Sequence, residues 1–405
     1  MKYVVLAASV AVQACLGGLY AWTTFVPAVK DSYGFSTAQT QLVFGVLIAV
    51  FTLSMVAVGR LVDRRGPRPM LVASGVLFAA GYGLASLSGG SFWLVLTGIG
   101  VLGGAATGLG YVCPLTTSVR WFPEHKGLVT GIAVAGFGGG AVVQSYFAEL
   151  LMGRGTDVLQ VFGRLGIVYG AVILAAAVLV RFPPGTGASA PGAAPRMSVP
   201  GPSPLFRDPY FWSLFLAMFS GTFAGLLVVG NLKPIALWFG FSPGTAVAAV
   251  SLFAAGNALG RIVWGVFIDR FRERMVSVSL AAFAVVLAAL WLLPHREPLF
   301  LVLVLLAGAS FGACFVVYAA LAASCYGAEH LGAVYPYIFL SYGIAGIAGP
   351  ALGGWLHDTS GSYTLALVVS IALLVQGIVA HAVLERTTRN RCCPSDRSAE
   401  GMQRR

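Results

Sequence analysis

Charge is scarce in this chain. Only 10% of its 405 residues are charged and 14 are acidic, whereas 58% are hydrophobic. The acidic residues fall at the ends of apolar segments or between them, and the least peripheral is Glu149. Metal-ligand clusters, a nucleophile elbow and a phosphate-binding loop are also missing. The sequence therefore predicts no enzyme, no bound metal and no cofactor. The histidines are scattered singly, at His125, His295, His330, His357 and His381.

Cysteine offers no disulfide framework. Four of the six cysteines lie inside apolar segments, where cysteine packs as a small apolar residue, at Cys15, Cys113, Cys314 and Cys325. The other two, Cys392 and Cys393, follow the last apolar segment. We interpret this pair as solvated thiols; palmitoylation or metal binding is the alternative, which no neighbouring histidine or further cysteine favours.

Apolar sequence of helical length is abundant. Stretches of roughly 20 apolar residues, bounded by charges or by Gly and Pro, recur from end to end. This pattern predicts an all-α integral membrane protein with little soluble structure attached. The twelve predicted transmembrane spans are 4–29, 41–62, 69–88, 92–116, 127–151, 162–182, 210–238, 243–268, 275–293, 298–322, 331–356 and 363–384.

The basic residues, which give a net charge of +11, are distributed unevenly between the loops. With both termini in the cytoplasm, that side collects most of them, as the positive-inside rule expects. We therefore predict a multi-pass protein of the plasma (inner) membrane with both termini cytoplasmic. No basic soluble face indicates a nucleic-acid partner. The cytoplasmic side would carry Lys2, Arg60, Arg64, Arg65, Arg68, Arg120, Lys126, Arg181, Arg196, Arg207, Arg270, Arg272, Arg274 and 386–405, and the other side Lys30, Arg154, Arg164 and Arg296.

The chain divides into two halves at a stretch rich in Gly, Pro, Ala and Ser that has no helical periodicity. We interpret 183–207 as a flexible cytoplasmic linker. It separates two predicted six-helix bundles, 1–182 and 208–385, and the residues 386–405 are predicted to be a disordered basic tail.

The two halves repeat one signal in the same direction. Gly59, Asp63 and Arg64 end span 2, and Gly265, Asp269 and Arg270 end span 8. A parallel internal repeat joined by a linker is typical of carriers whose two bundles rock against each other.

One fixed charge, Arg261, lies deep in an apolar segment with no carboxylate nearby. Counting back from Asp269 at about 1.5 Å per residue places it on the order of 12 Å from the edge of a core about 30 Å thick. Asn257 lies one turn earlier on the same face. A guanidinium can hold a planar carboxylate through two parallel hydrogen bonds, so we predict an anion contact. The alternative is structural, with Arg261 bonded to backbone carbonyls at a helix crossing.

Several motifs resemble those of known transporters. The run from Gly59 to Arg68 resembles the loop-2/3 signature of the major facilitator superfamily, and the arrangement is similar over essentially the whole chain. Trp121 to Gly140, Gly17 to Trp22 and the Gly260-Arg261 pair resemble the oxalate/formate antiporter family, which neighbours the monocarboxylate transporters. The resemblance implies pseudo-two-fold bundles and alternating access. We expect a small carboxylate as the partner in the bilayer and a chain that functions as a monomer.

The signature also implies a cytoplasmic gate. Asp63 lies at the carboxyl end of span 2, where the helix dipole disfavours an anion, so it requires a partner. By resemblance, that partner is the amino-terminal end of span 11, near Leu331, together with neighbouring arginines. The alternative is that the arginines only set the orientation in the membrane. The predicted gate residues are Gly59, Asp63, Arg64, Arg68, Asp269 and Arg270.

Two departures from the related families bear on the substrate. The monocarboxylate transporters resemble this segment but have an aspartate where this chain has Asn257, which argues against proton coupling through that pair. The oxalate/formate pattern expects a lysine in span 11, at the position of Tyr342. Two cations suit a dianion and one suits a monoanion, so formate, lactate or pyruvate is favoured over oxalate. Because the empty site keeps the unpaired charge of Arg261, crossing without an anion is penalised, and this favours exchange over uniport. Lys233 could supply a second charge, but its place beside Pro234 favours interface anchoring.

Aromatic and amide side chains complete the predicted substrate site. For each aromatic taken alone, packing or a place in the interfacial aromatic belt is the favoured alternative, and each glutamine could equally tie helices together. A proton-coupled monocarboxylate symporter is the alternative function. A drug or cation antiporter is another, for which Glu149 is the candidate acid. The predicted substrate-binding residues are Arg261, Asn257, Tyr342, Tyr20, Trp22, Tyr111, Tyr318, Phe339, Gln13 and Gln144.

Overall fold

The computed structural model describes residues 1–184, 202–293 and 296–392. Within these ranges, 12 helices are long and apolar enough to cross a membrane, which confirms the predicted fold class. Numbered as spans 1 to 12, they are Lys2–Tyr33, Ala38–Arg65, Pro67–Ser86, Phe92–Trp121, Lys126–Met152, Val158–Leu179, Pro209–Gly230, Pro243–Phe271, Arg274–Leu292, Glu297–Cys325, Ala328–Ser360 and Thr364–Leu384.

An even number of spans returns the chain to the membrane face from which it started. We call this the terminal face. It carries the beginning of span 1, the turn at Gly66 between spans 2 and 3, and the connection 122–125 between spans 4 and 5. The opposite, distal face carries the connections 34–36 and 87–91.

Spans 1 to 6 and spans 7 to 12 each form a six-helix bundle. In the first half, span 3 packs along span 6 and span 1 along span 5; in the second, span 8 packs along span 10 and span 7 along span 12. The halves meet mainly where span 5 crosses span 8 and where span 2 crosses span 11. These two crossings are equivalent in the internal repeat, since Gly59 of span 2 corresponds to Gly265 of span 8.

Glycine sets how closely the halves approach near the terminal face. A Cβ atom on Gly59 would lie 1.8 Å from the Gly332 carbonyl oxygen, and one on Gly265 would lie 2.6 Å from the Gly127 carbonyl oxygen. A side chain at either position would overlap the backbone of the facing helix. Only glycine therefore permits the two crossings at this distance.

The same helix pairs separate toward the distal face. A Cβ atom on Gly131 would lie 2.4 Å from the Arg261 carbonyl oxygen, but on Gly138, two turns further, it would find its nearest neighbour at 3.6 Å. In the other pair, the nearest neighbour of Gly346 is a side-chain atom at 3.6 Å, and Gly45 has none within 4 Å. The halves are therefore joined backbone to backbone at the terminal face and only by side chains further out.

Gly59→Ala is expected to lower the thermal unfolding temperature by several degrees. The added methyl group meets the Gly332 carbonyl oxygen, and overpacking of this kind costs about 1–3 kcal/mol. Gly45→Ala is the matched control in the same span, because its methyl group meets nothing within 4 Å. It should be neutral or stabilising by up to about 1 kcal/mol through helix propensity. Equal unfolding temperatures for the two variants in detergent would show that the close crossing is unnecessary.

Three spans change their helical geometry within the membrane. Span 1 contains a 3₁₀ segment at Gly18–Ala21, and span 4 contains a π-helical segment at Leu96–Gly103. Span 10 is interrupted between its helices Glu297–Ala313 and Val317–Cys325. Such interruptions redirect side chains and are frequent at functional sites. Tyr20 lies in the first of these segments and Phe315 in the last.

The ends of the predicted linker and tail differ from expectation. Residues Pro202–Phe206 form a short helix in which Leu205 is buried, and the Phe206 ring centroid lies 5.6 Å from that of Tyr337. This end of the 183–207 linker is therefore packed against span 11. The last helix continues to Cys392, beyond the predicted start of the disordered tail. The predictions for 185–201 and 393–405, and for His295 and Cys393, lie outside the described residues.

Candidate anion-binding site

Arg261 lies in span 8 between the two halves, and its side chain is fully buried. Its Nε donates a hydrogen bond to Asn257 Oδ1 at 3.1 Å, and its Nη1 donates to the carbonyl oxygen of Val134 in span 5. Nη2 has no hydrogen-bond partner, and none of the ion pairs in the described ranges involves Arg261. The backbone bond expected for a structural arginine is thus present, but it leaves one donor group available. A buried guanidinium with an unused donor can hold an anion.

Aromatic rings enclose the guanidinium. Its central carbon lies 4.4 Å from the ring centroid of Phe315, close enough for a cation–π interaction. Tyr111 anchors a cluster with Phe51, Phe137 and Phe339, whose ring centroids lie 5.0–5.3 Å from its own. These rings exclude water, and charge–charge attraction is stronger in the resulting low dielectric.

Tyrosine hydroxyls supply the polar part of the site. Tyr20, Tyr111, Tyr335 and Tyr342 lie near the Arg261 guanidinium. Tyr20 and Tyr342 share a hydrogen bond between their hydroxyls. Tyr111 and Tyr335 interact with each other electrostatically, but neither hydroxyl completes a hydrogen bond of normal geometry. The site therefore combines one cation with hydroxyls that can still bond to a ligand.

Tyr318 repeats Tyr111 in the second half of the chain. The two residues lie in the fourth span of their respective halves, and both hydroxyls are buried without a hydrogen-bond partner. Tyr318 lies beside Cys314. It is buried within the second half and is not among the tyrosines nearest the guanidinium.

Trp22 packs away from the guanidinium, within the first half. Its indole Nε1 donates to the Thr40 carbonyl oxygen at 2.9 Å, and its ring stacks on Phe162 with centroids 6.3 Å apart. The predicted lining role of Trp22 therefore has no support in the geometry. Trp22 is only two residues from Tyr20, a spacing that places the two side chains on different faces of the helix.

The two buried glutamines face other helices of the first half. Gln13 donates from Nε2 to the Tyr111 carbonyl oxygen at 3.1 Å, which ties span 1 to span 4. Gln144 fits against the backbone of span 1, where a Cβ atom on Gly18 would lie 1.7 Å from its Oε1. Gln13 thus contacts the site residue Tyr111 only at its backbone carbonyl oxygen, and Gln144 faces span 1. Lys233 is exposed and does not reach the site.

Two site residues, Tyr335 and Phe315, were absent from the predicted set. Tyr335 could have been found, since Tyr335, Phe339 and Tyr342 follow the i, i+4, i+7 spacing of one helix face in span 11. Phe315 reaches Arg261 only because span 10 is interrupted there, and no proline marks that break. No sequence signal would have indicated it.

Asp63, at the end of span 2, joins the halves near the terminal face. Its Oδ2 accepts a hydrogen bond from the backbone N–H of Ala333, in the first turn of span 11, at 2.7 Å. Its Oδ1 accepts from Arg120 Nη2 at 2.7 Å, and both side chains are buried. Arg120 also donates to the carbonyl oxygens of Ala328 and Glu329 in the second half. A helix amino terminus and an arginine together stabilise this carboxylate.

Asp269 makes the equivalent contact in the repeat. Its two carboxylate oxygens accept hydrogen bonds from the backbone N–H groups of Gly127 at 2.7 Å and Leu128 at 2.9 Å, at the start of span 5. None of the ion pairs found in residues 1–184, 202–293 and 296–392 involves Asp269. The two carboxylates thus cap opposite helices, but only Asp63 is also bound by an arginine.

The arginine that holds Asp63 comes from span 4 and not from the signature loop. Arg64, Arg68 and Arg270, which the sequence predicts to be gate residues, are exposed and make no hydrogen bond or ion pair through their side chains within the described part of the chain. Arg120 was counted in the sequence only as a loop charge. Its partner could not be identified there, because the two residues are 57 positions apart and meet only in the folded bundle.

Comparison with known proteins gives the family. The family model described as Major Facilitator Superfamily matches residues 7–237 and 226–397. The chain belongs to the major facilitator superfamily. This member is 28% identical over 386 residues to the oxalate:formate antiporter of Oxalobacter formigenes, with 92% of this chain and 89% of that relative covered. It is 25% identical over 382 residues to monocarboxylate transporter 11 of Homo sapiens, with 89% and 78% covered.

The fold also matches a solved structure of the superfamily. FucP of E. coli, a transporter solved in the outward conformation, superposes with a TM-score of 0.69 at 17% identity, over 93% of this chain and 98% of FucP. The resemblance predicted from the motifs is thus confirmed. The chain is an integral, multi-pass membrane transporter of a small molecule, and its family is not one of enzymes.

Proposed function

We propose that this superfamily member exchanges small monocarboxylates by alternating access, with Arg261 as the principal anion contact. One observation carries the proposal: the fully buried guanidinium forms no ion pair within the described part of the chain and keeps one donor group, Nη2, unpaired there. Burying an uncompensated charge is costly, so its retention indicates a use. An anionic substrate supplies the missing charge, and the guanidinium plane suits a carboxylate. The names of the relatives, which are transporters of oxalate, formate and monocarboxylates, support this class.

A single positive charge in the site favours a monoanion over a dianion. Tyr342 occupies the position where the oxalate/formate pattern has a lysine, and it offers a hydroxyl instead of a charge. Arg120 is buried too, but its charge is compensated by Asp63. Oxalate would therefore bring one negative charge more than the site neutralises. Formate, lactate and pyruvate match the charge of Arg261.

The same charge balance favours exchange. When the halves rearrange with the site empty, the Arg261 charge moves through a low-dielectric interior without compensation; with a monoanion bound, the pair is neutral. Proton symport is less well supported, because the neighbour of Arg261 is the amide of Asn257, which does not titrate. A cation antiporter is also disfavoured, since Glu149 is exposed at the distal end of span 5.

We also propose that the terminal face lies in the cytoplasm of the cell and that the protein resides in its plasma (inner) membrane. The exposed arginines of the signature loop, Arg64, Arg65 and Arg68, lie at that face, as the positive-inside rule requires. We further propose that the protein functions as a monomer, since a single chain supplies both six-helix bundles that alternating access requires.

Counterflow in proteoliposomes tests the exchange of monocarboxylates. Vesicles are loaded with formate, lactate, pyruvate or oxalate, or left anion-free, and the uptake of each labelled anion is followed. We expect uptake into vesicles loaded with a monocarboxylate to be at least about tenfold faster than into anion-free vesicles, because crossing with an empty charged site is unfavourable. Protein-free vesicles loaded in the same way are the control. Equal rates with and without internal anion would exclude exchange, and fast oxalate exchange would exclude the single-charge argument.

A further inference from the structure

We propose that Tyr20 and Tyr342 form a distal gate above the Arg261 site, held closed by the hydrogen bond between their hydroxyls. Tyr20 belongs to the 3₁₀ segment of span 1 in the first half, and Tyr342 to span 11 in the second. Their bond therefore joins the two halves. Tyr342 and Arg261 are 1% and 0% exposed, and Tyr20 is partly exposed.

The position of Tyr342 along span 11 supports this assignment. Span 11 starts at the terminal face, and Tyr335, Phe339 and Tyr342 follow one another on the face that lines the site. At about 1.5 Å per residue, Tyr342 lies roughly 10 Å closer to the distal face than Tyr335. Both tyrosines lie near the Arg261 guanidinium. Of these two tyrosines near Arg261, Tyr335 is thus nearer the terminal face and Tyr342 nearer the distal face.

The closures on the two sides of Arg261 differ in kind. On the terminal side, Asp63 and Asp269 accept backbone N–H donors across the interface, and glycine crossings bring the helix backbones together. On the distal side, the helix backbones are separated and only side chains join the halves, among them the neutral hydroxyl pair of Tyr20 and Tyr342. Charge-assisted hydrogen bonds are roughly twice as strong as neutral ones. The distal side is therefore the thinner closure, and breaking the tyrosine pair opens the site outward.

A cysteine at position 138 provides a reporter beside the guanidinium. A Cβ atom on Gly138 would lie 3.6 Å from the central carbon of Arg261 and 3.7 Å from the Ala258 side chain, which are ordinary contacts. Gly138→Cys is placed in a background in which the six native cysteines are replaced by serine or alanine. Intact cells are treated with the impermeant anion sulfonatoethyl methanethiosulfonate, and the rate of labelling measures access to the site from outside.

Tyr20→Phe and Tyr342→Phe are each expected to raise the labelling rate about three- to tenfold, because each removes the same hydrogen bond and little volume. The double variant should label no faster than either single variant, since the shared bond can be lost only once. Tyr146→Phe, at an exposed tyrosine of span 5, is the matched control and should leave the rate unchanged. Unchanged rates in both single variants, or fully multiplicative effects in the double variant, would overturn the gate.

Two further variants make every outcome decisive. Arg154→Cys, in the connection after span 5, reports which face is outside; if it is not labelled, the series is repeated on inside-out vesicles. Asp63→Asn should slow labelling of the 138 reporter, because it favours the state open at the terminal face. A reporter that no variant renders accessible would also contradict the gate. Labelling requires no transported anion, so a failure of the monocarboxylate proposal would leave this result intact and distinguishable.

Discussion

Arg261→Gln is expected to lower monocarboxylate exchange by roughly a hundredfold or more. Removing one member of a buried, hydrogen-bonded charge pair costs on the order of 2–5 kcal/mol, and here the bound anion is the second member. The glutamine amide retains a donor but has neither the charge nor two parallel N–H groups. The measurement is counterflow of labelled lactate or pyruvate in proteoliposomes that contain equal amounts of native or variant protein.

The Arg261→Gln variant should remain folded in the absence of substrate. In the native protein the Arg261 charge is buried without a carboxylate partner, so its removal relieves an unfavourable term while it sacrifices the bonds to Asn257 and Val134. We expect the unfolding temperature without ligand to be equal or higher. Saturating substrate should raise the unfolding temperature of the native protein and leave that of Arg261→Gln unchanged, since stabilisation by a ligand requires binding.

Two substitutions serve as references for Arg261→Gln. Arg154→Gln removes an exposed arginine from a distal connection and should exchange at the native rate. Arg261→Lys keeps the charge but loses the planar pair of donors, so it should fall between the native protein and Arg261→Gln. Native exchange by Arg261→Gln, with its substrate-induced stabilisation preserved, would remove Arg261 from the binding site.

The fold was largely predictable because the membrane imposes a length and a composition on each span. Twelve apolar stretches were sufficient to predict twelve helices. The interruption of span 10 near Phe315 was not predictable, because apolar composition continues through it without a proline. The packed helix at Pro202–Phe206 was likewise not predictable, since its composition resembles that of the Gly-, Pro-, Ala- and Ser-rich sequence before it. Local pattern specifies which segments cross the membrane, and tertiary packing specifies where they bend.

Within the candidate site, the residue that could be predicted was the one whose burial is costly, and the residues chosen only because they are aromatic or polar were placed less reliably. A lone charge in an apolar segment is costly anywhere, so Arg261 could be singled out, and helix geometry then located Asn257 one turn away. Trp22 and Gln144 were selected as aromatic or polar residues in the right spans, but both face other helices of the first half. The depth of a residue in the membrane can be counted along the sequence, whereas the helix that its side chain faces depends on tertiary packing.

Asp63→Asn is expected to weaken closure at the terminal face by on the order of 3 kcal/mol, a shift of about a hundredfold toward the state open on that side. The carboxylate accepts from Arg120 with one oxygen and from the Ala333 N–H with the other. An asparagine offers one acceptor oxygen and no charge, so one of these donors loses its partner. Exchange should slow at least about tenfold, because the carrier remains in one state, while the protein stays folded.

The repeat provides graded comparisons for this variant. Asp269→Asn removes the equivalent helix cap, but no arginine is bound there in the described ranges, so its effect should be smaller than that of Asp63→Asn. Asp358→Asn changes a carboxylate that is 81% exposed and lies 3.5 Å from Nδ1 of His357, and it should exchange at the native rate. Labelling of the 138 reporter from the terminal side should increase in the order Asp358→Asn, Asp269→Asn, Asp63→Asn. An equal response of Asp269→Asn and Asp63→Asn would show that the helix amino termini alone hold the gate closed and that the bond to Arg120 adds nothing.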